Sequence, residues 1–376
     1  MNTDNLALDT DDEVVRRALI LTGGGDAPGL NAVLRAFVTT ATDLGLEVLG
    51  SEDGFAGLID DPIRVVPLTR ESVRGILPRG GSILGCSNRA HPFAYQERDG
   101  SGVEHTIDVS DKILQRLAEL EIDILVLVGG GGTMDIGMRF AKMGVSVVGI
   151  PKTIDNDLAA TDLTFGLDTA VNTATWAIDA LHSTAEAHDR VMILEVMGRD
   201  SGWIALLSGI AGGADVILLP EIHYDIDRVV AKIQERTHSG HAFSIIVVGE
   251  GAKPVGGTVS NIKGSHKSIS QRADGPGAQL AQLLDGRIEH DVRVTVLGHL
   301  QRGGSPSSFD RILGTRFGVH AAQLCYHDNV GQVVALRGQD VVNVPLEAAV
   351  ANLKRVPPEG QLVMVARATG IELGEE

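Results

Sequence analysis

"LVGGGGTMD" (residues 127–135) sets four consecutive glycines between an apolar run and a stretch with helical patterning. It closes a longer unit, "VSDKILQRLAELEIDILVLVGGGGT". The unit reads as a helix that Ser110 can cap, followed by a buried strand, Ile124–Val128. Strand, glycines and helix in that order bring backbone N–H groups close to an anion, backed by the partial positive charge of a helix N-terminus. The loop has no acid before Asp135. A metal accompanying a bound phosphate would therefore need its carboxylate from elsewhere in the chain.

Working outward, the same order recurs. "RALILTGGGDAPGLNAVLRAFVTTATDLG" predicts a strand over Ala18–Leu21, a turn through Gly23–Gly25 and a helix from near Gly29. Leu30, Val33, Leu34, Phe37 and Val38 then fall at helical spacing. "LEVLG" is a second strand, and "VSVVGIPKTIDND" a strand running into a loop. A long helix is expected from about Asp168 to His188. Beyond it come strand Val191–Val196, a helix from about Gly202, strand Val216–Leu219, helix Asp227–Thr237, and strands Ser244–Val248 and Val292–Leu297. Fully apolar strands alternating with helices imply parallel sheets covered on both faces. The fold class is α/β, as two doubly wound Rossmann-like lobes with mainly parallel sheets and a site in the cleft between them. Residues 1–16 read as a disordered tail. The polar, Gly-rich stretch 256–277 reads as a mobile loop or hairpin.

Composition narrows the function classes. The chain has 376 residues, 43% hydrophobic but only 3% aromatic, so its cores must be built from Val, Ile, Leu and Ala. A formal net charge of -17 excludes a general nucleic-acid or anionic-membrane binder, which would need a basic face. An anionic substrate must instead be held by a local cluster of Arg and Lys. Two cysteines, Cys86 and Cys325, make neither a disulfide framework nor a metal motif. The acidic start "MNTDNLALDTDDEVVRR" is unlike a secretory signal, and no apolar run approaches membrane-spanning length. The expected setting is cytoplasmic.

Ligands of parallel α/β sheets sit beyond the carboxyl ends of the strands. Six loops follow strands here: "TGGGDAPG", "VGGGGT", "PKTIDND", "EVMGRDSG", "VGEGA" and "GHLQRGGSP". Either glycine loop alone is more simply a tight turn; two of them shift the balance toward phosphate. In "PKTIDND", a carboxylate can take a proton from an attacking hydroxyl, and a second one two residues on can orient it or hold Mg²⁺. Lys152 beside them can balance charge on a transferring phosphate. A single "DND" is also a common turn. Arg190, Arg199, Arg293 and Arg302 are candidates for the anion cluster, since Arg suits bidentate phosphate binding. His299 beside Arg302 suggests a donor to an anion, Glu250 an acceptor for sugar hydroxyls, and Cys86 a packing residue.

These motifs together resemble the 6-phosphofructokinase family. "TGGGDAPGLNAVLR", "GGGGT", "PKTIDND", "FGLDTAV", "EVMGR", "GWIAL" and "VLGHLQRGGSP" occur in the family's order, over roughly Arg17 to Pro358. The nearest flavour is the bacterial "PKTIDND" group, which holds ATP- and pyrophosphate-dependent members. The resemblance implies phosphoryl transfer to the 1-hydroxyl of fructose 6-phosphate. Asp155 matches the general base, with Thr153, Lys152 and Arg199 as its catalytic companions. Met197, Gly198 and Arg199 match the substrate loop, and Glu250 the acid that binds the sugar. Arg293, His299 and Arg302 match the groups that hold the sugar phosphate. Arg190 and Arg293 match arginines contributed across a subunit interface, which implies a homodimer or homotetramer with shared sites. Gly24, Gly25, Gly131, Gly132 and Thr133 match the donor-phosphate loops, and Arg89 the arginine bridging both phosphates. On this basis 17–166 plus 301–354 form the donor lobe, and 167–300 plus 355–376 the sugar-phosphate lobe.

The chain departs from the family pattern at two positions. Gly131 replaces an acid that serves the metal, which leaves Asp157, or donor phosphates with water, to hold Mg²⁺. Glu52 stands where many ATP users carry an aromatic near the nucleotide. Pyrophosphate users usually have Asp where this chain has Gly132, whereas Lys152 is typical of pyrophosphate users and also found in ATP users of this group. The expected donor is ATP, with pyrophosphate second. A catalytically weak or regulatory paralogue, motivated by Gly131, and an enzyme acting on sedoheptulose 7-phosphate remain open at this stage.

Overall fold

The computed structural model describes residues 16–100, 102–257 and 275–375. Residues 1–15 of the expected tail and most of the expected 256–277 loop lie outside the described residues; Arg16 is described and donates to Asp328.

The first sheet begins with β1 (Arg17–Thr22), α1 (Leu30–Asp43), β2 (Glu47–Ser51), α2 (Ala56–Ile59) and β3 (Val65–Pro67). A two-stranded ribbon, β4 (Tyr95–Arg98) and β5 (Glu104–Ile107), precedes α3 (Ser110–Glu119), β6 (Ile124–Gly129), α4 (Gly131–Lys142) and β7 (Val147–Pro151). The second sheet follows through α5 (Leu167–His188), β8 (Val191–Val196), α6 (Trp203–Ala211), β9 (Val216–Leu218) and α7 (Ile226–His238). It is completed by β10 (Ser244–Gly249), α8 (Pro276–Leu284), β11 (Val292–Val296) and a 3-10 turn, Gly298–Arg302. The chain then returns through α9 (Ser308–Tyr326), β12 (Gln332–Arg337), β13 (Asp340–Pro345), α10 (Leu346–Val350) and α11 (Gln361–Ala368).

The seven-stranded sheet runs β13-β12-β7-β6-β1-β2-β3, parallel except for its antiparallel edge strands β13 and β3. The four-stranded sheet, β11-β8-β10-β9, is entirely parallel. Every residue of β6 and β10 is buried, as expected of central strands made of Val, Ile and Leu. Both faces of each sheet are covered. Val33 and Phe37 of α1 meet Leu313 and Phe317 of α9 on one face of the larger sheet, with Ile113, Met134, Phe140 and Leu346 on the other. Ile178, Ile204 and Val363 cover one face of the smaller sheet, and Val229, Ile233, Leu280 and Leu284 the other. Each such side chain contributes about 1.5–3 kcal/mol by leaving water.

In the larger sheet the chain moves from β1 outward to β2 and β3, then back to β6 and β7 on the other side. The loops after β1 and β6 therefore diverge at a switch point, where an open parallel sheet forms a crevice.

Two details differ from expectation or add to it. Ser110 does not cap α3. It is the first helical residue, and its own N–H donates to Asp108 Oδ1 at 2.9 Å, because an acid two residues upstream reaches that group first. Asp310, in the first turn of α9, is buried and ties that helix to α5. Its Oδ2 accepts from Thr169 N–H (2.8 Å) and from the Thr169 hydroxyl (2.5 Å), and burial pushes its carboxyl up to about 6.

Helices α1 and α9 approach backbone to backbone. A Cβ on Gly318 would lie 2.5 Å from Val33 O and 2.9 Å from Ala36 Cβ. Gly318→Ala must push two buried helices apart, and is expected to destabilise the fold by about 1–3 kcal/mol in urea unfolding. An unchanged midpoint would show that this contact yields freely.

Candidate active site

Six loops that follow strands open into one cleft of about 510 Å³, which Phe55 and the Ser87–His91 segment also line. Three follow strands of the larger sheet: Gly23–Asp26 after β1, Gly130–Thr133 after β6, and the Lys152–Asp157 loop after β7. The others come from the smaller sheet: Met197 and Arg199 after β8, Glu250 after β10, and His299 and Arg302 in the 3-10 turn after β11. All six lie at carboxyl ends of strands, so the two sheets face each other across the cleft with their ligand-binding edges.

The four-glycine run is the start of a helix. Gly130 is extended, and Gly131 and Gly132 are the first two residues of α4. Their N–H groups have no partner within the helix and form an anion cradle. Thr133 fixes the cradle against the strands, since a Cβ on Gly129 or Gly23 would lie 2.3 Å or 2.6 Å from its Oγ1. Only glycine fits there. Gly131 and Gly132 differ: an added Cβ on Gly131 makes ordinary contact with Leu158 Cδ2 at 3.7 Å, and one on Gly132 meets nothing within 4 Å.

Lys152 is 3% exposed, and its Nζ donates to Gly25 O, linking the β7 loop to the first glycine loop. Burial lowers its ammonium to about 8, with Arg302 adding to the fall while Cys86, Asp26 and Asp155 oppose it. Asp155 is 4% exposed. Its Oδ1 is buried without a hydrogen-bond partner. Burial, and then the neighbouring Asp157, push its carboxyl up to about 6, against the pull of Arg302 and Arg199. At neutral pH the site thus holds an ionised, poorly satisfied carboxylate beside a charged lysine. That combination suits proton abstraction from a hydroxyl next to a phosphate. Thr153 Oγ1 accepts from Asp155 N–H at 3.0 Å and shapes the turn.

On the opposite wall, Arg199 has a left-handed backbone (φ 52) and donates its N–H to Glu250 Oε1 at 2.7 Å. Arg302 donates to Asp26 O at 3.0 Å, bringing the smaller sheet's turn onto the first glycine loop. Gly198 lies just behind the wall, where a Cβ would strike Ser201 O at 2.3 Å. Asp157 and Gly131 both line the cleft. Among the described residues, no group of three or more His, Cys, Asp or Glu side chains could hold a metal.

Three expected residues are not brought together with these. Arg190 precedes β8 and Arg293 is the second residue of β11, so both stand at the amino ends of strands whose carboxyl ends carry the cleft. The six residues of β8, about 20 Å, separate Arg190 from that strand's carboxyl end, and three residues of β11 follow Arg293. Arg190 lies 4.0 Å from Asp291, and Arg293 donates to the same carboxylate at 2.9 Å. Within one chain the cluster of four arginines is therefore a pair, Arg199 and Arg302. Arg89 is exposed, and Asn88, Ala90 and His91 line the cleft in its place. The aromatic that lines the cleft is Phe55, which sequence reading missed; Glu52 instead lies 3.6 Å from Arg64. Also missed were Gln301, whose Oε1 accepts from Met197 N–H at 3.4 Å, and Lys354, which donates to Asn156.

A helix N-terminus with free amides on the larger sheet, faced across the cleft by Arg199 and Arg302 and sharing it with a raised carboxylate, is an arrangement suited to an α/β phosphotransferase. The Phosphofructokinase family profile matches residues 17–325. The chain is 50% identical over 361 residues to the ATP-dependent 6-phosphofructokinase of Chloroflexus aurantiacus, covering 96% of this chain and 98% of that relative. It is 49% identical over 343 residues to a pyrophosphate–fructose 6-phosphate 1-phosphotransferase of Streptomyces coelicolor, covering 90% and 96%. Among solved structures, Pichia pastoris phosphofructokinase in the T-state matches with a TM-score of 0.73 and 28% identity over 95% of this chain, which spans only 36% of that longer one. A pyrophosphate-dependent phosphofructokinase of Marinobacter aquaeolei shares the fold, with a TM-score of 0.76 at 20% identity over 96% of this chain and 88% of that one. The chain belongs to the phosphofructokinase family.

Proposed function

We propose that the chain is an ATP-dependent 6-phosphofructokinase of glycolysis, moving the γ-phosphoryl group of ATP to the 1-hydroxyl of fructose 6-phosphate. The observation that carries this reading is the buried carboxylate of Asp155, whose Oδ1 has no hydrogen-bond partner, in the cleft that the glycine loops share with Arg199 and Arg302. It takes the hydroxyl proton as the oxygen attacks. The amides of Gly24, Gly25, Gly131 and Gly132 hold the donor phosphates, with Thr133 behind them. Lys152 and Arg199 face the charge that develops during transfer. Met197 and Glu250 position the sugar, and His299 and Arg302 hold its 6-phosphate. The donor then belongs to residues 17–166 with 301–354, and the sugar phosphate to 167–300 with 355–376.

Mg²⁺ fits this donor set. It commonly takes one or two carboxylates and completes its shell with phosphate oxygens and water. Asp157 is the carboxylate best placed to hold it beside Gly131, and the ion would neutralise donor-phosphate charge. Arg190 and Arg293 serve the site of a neighbouring copy in a homodimer or homotetramer, since neither reaches this chain's own cleft. A cytoplasmic setting suits two free cysteines, one of them buried in the core.

Pyrophosphate is the second reading for the donor, favoured by Lys152 in the cleft and by the relative from Streptomyces coelicolor. The deciding experiment measures kcat/KM with fructose 6-phosphate, Mg²⁺ and either donor. Faster turnover with ATP supports the first reading. Faster turnover with pyrophosphate replaces it with the second, and none with either donor removes both.

A further inference from the structure

Asn156 sits between the two acids of the site and has a left-handed backbone, φ 51. That conformation turns its flanking residues apart, so it decides how the Asp155 and Asp157 carboxylates stand to each other. For a residue other than glycine it is also mildly strained, and persists only where its surroundings fix it. Asn156 is 2% exposed, and its Oδ1 accepts from Thr164 N–H at 3.2 Å and from Lys354 Nζ at 2.9 Å.

Lys354 comes from the far end of the chain. Its Nζ donates to Asn156 Oδ1, to Thr161 O at 2.8 Å and to Asp162 O at 2.7 Å. Three acceptors use the three hydrogens of an ammonium. Its backbone N–H donates to Asp157 O at 2.8 Å. One residue therefore grips the loop at its apex, at the second acid and at its exit. The same segment is fastened to the smaller sheet. Lys354 O accepts from Trp203 Nε1 at 3.4 Å, and Glu221 Oε1 accepts from both Val356 N–H (2.8 Å) and Gly202 N–H (2.9 Å). Trp203 and Gly202 begin α6, directly after the Met197–Arg199 loop.

We propose that Lys354 is a positioning residue for phosphoryl transfer: through Asn156 it sets the relative orientation of Asp155 and Asp157 and holds the base loop in register with the sugar-binding wall. The role rests on the kinase reading above. Lys354 touches neither reacting group, so its loss should act on the rate of the chemical step and leave ground-state binding largely intact.

The test uses Lys354→Met, which keeps the stem and removes the donors, and Asn156→Gly, which removes the acceptor and tolerates the backbone. Each is expected to lower kcat by about 10- to 100-fold with both KM values within about threefold of wild type, because small misplacements of a reacting group are felt in the rate. The double variant should lose less than the product of the two single losses, since both remove the Lys354–Asn156 bond. Wild-type kcat in a folded Lys354→Met protein overturns the proposal, as does a loss confined to KM or a double variant whose losses multiply. If Lys354→Met does not fold, Asn156→Gly decides alone, and an unchanged kcat overturns the role. Wild-type protein is assayed in parallel. If it turns over neither donor, the kinase reading fails, and this role with it; if it is active while the variants match it, only this role fails.

Discussion

Asp155→Asn is expected to lower kcat by about 10²- to 10⁴-fold, the range for removing a general base, and at the same time to make the protein more resistant to urea. The two effects have one cause. The Asp155 carboxyl rises from 3.8 to about 6, mainly because it is buried, and its Oδ1 has no hydrogen-bond partner. A carboxyl whose proton is held more tightly in the folded state loses stability as pH rises from about 4 to about 6, and carries the full cost above that window. At about 1.36 kcal/mol for each tenfold change in proton affinity, the cost at neutral pH is up to about 3 kcal/mol. Asparagine carries no charge, so the variant should gain about 1–3 kcal/mol at pH 7 and much less at pH 4. The same carboxyl sets the acid limb of wild-type kcat/KM, which should fall below pH about 6 as Asp155 takes up a proton. A variant that is inactive but no more stable at pH 7 would mean that Asp155 is satisfied in solution by groups beyond its neighbours in the fold. A variant that stays active would remove it as the base.

Gly132→Asp should separate the donors. Gly132 is the second residue of α4, and a side chain there meets nothing within 4 Å, so the fold should accept the change. An acid at a helix N-terminus even helps the helix slightly. The new carboxylate would stand in the anion cradle, where like charges a few ångströms apart repel by several kcal/mol near a protein surface. kcat/KM for ATP is expected to fall by about 10²-fold or more, since each 1.4 kcal/mol is a factor of ten. Pyrophosphate, which ends before the region an ATP α-phosphate would fill, should lose less than about tenfold by the same scale. Equal losses, or none with ATP, would show that Gly132 does not determine the donor.

The strands that carry the site were legible because they are short apolar runs broken by glycine, charge or both. Val191–Val196 matches β8 end to end, and the long helix expected from Asp168 begins one residue earlier, at Leu167. The ribbon of β4 and β5 and the edge strand β13 were not legible, since exposed, mixed-polarity strands lack the continuous apolar run of a central strand. In the site, the expected residues just after buried strands, from Gly25 to Arg302, line one cleft. Arg190 precedes β8 and Arg293 is near the start of β11, and the resemblance assigned both to a neighbouring copy's site, so one chain leaves them outside its own cleft. An arginine that opens a parallel strand points to the side away from the ligand edge. Lys354 could not be read at all. Its partner Asn156 lies 198 residues away, and nothing local marks a lysine in a C-terminal segment as the donor to a buried loop.

The most direct test follows phosphorus through one reaction. Purified protein, fructose 6-phosphate, Mg²⁺ and ATP are combined and the products resolved by ³¹P NMR. Fructose 1,6-bisphosphate should appear in step with ADP, and Asp155→Asn should form neither at a comparable rate. Release of free phosphate from ATP without sugar bisphosphate, or no reaction on a folded wild-type protein, would contradict the account.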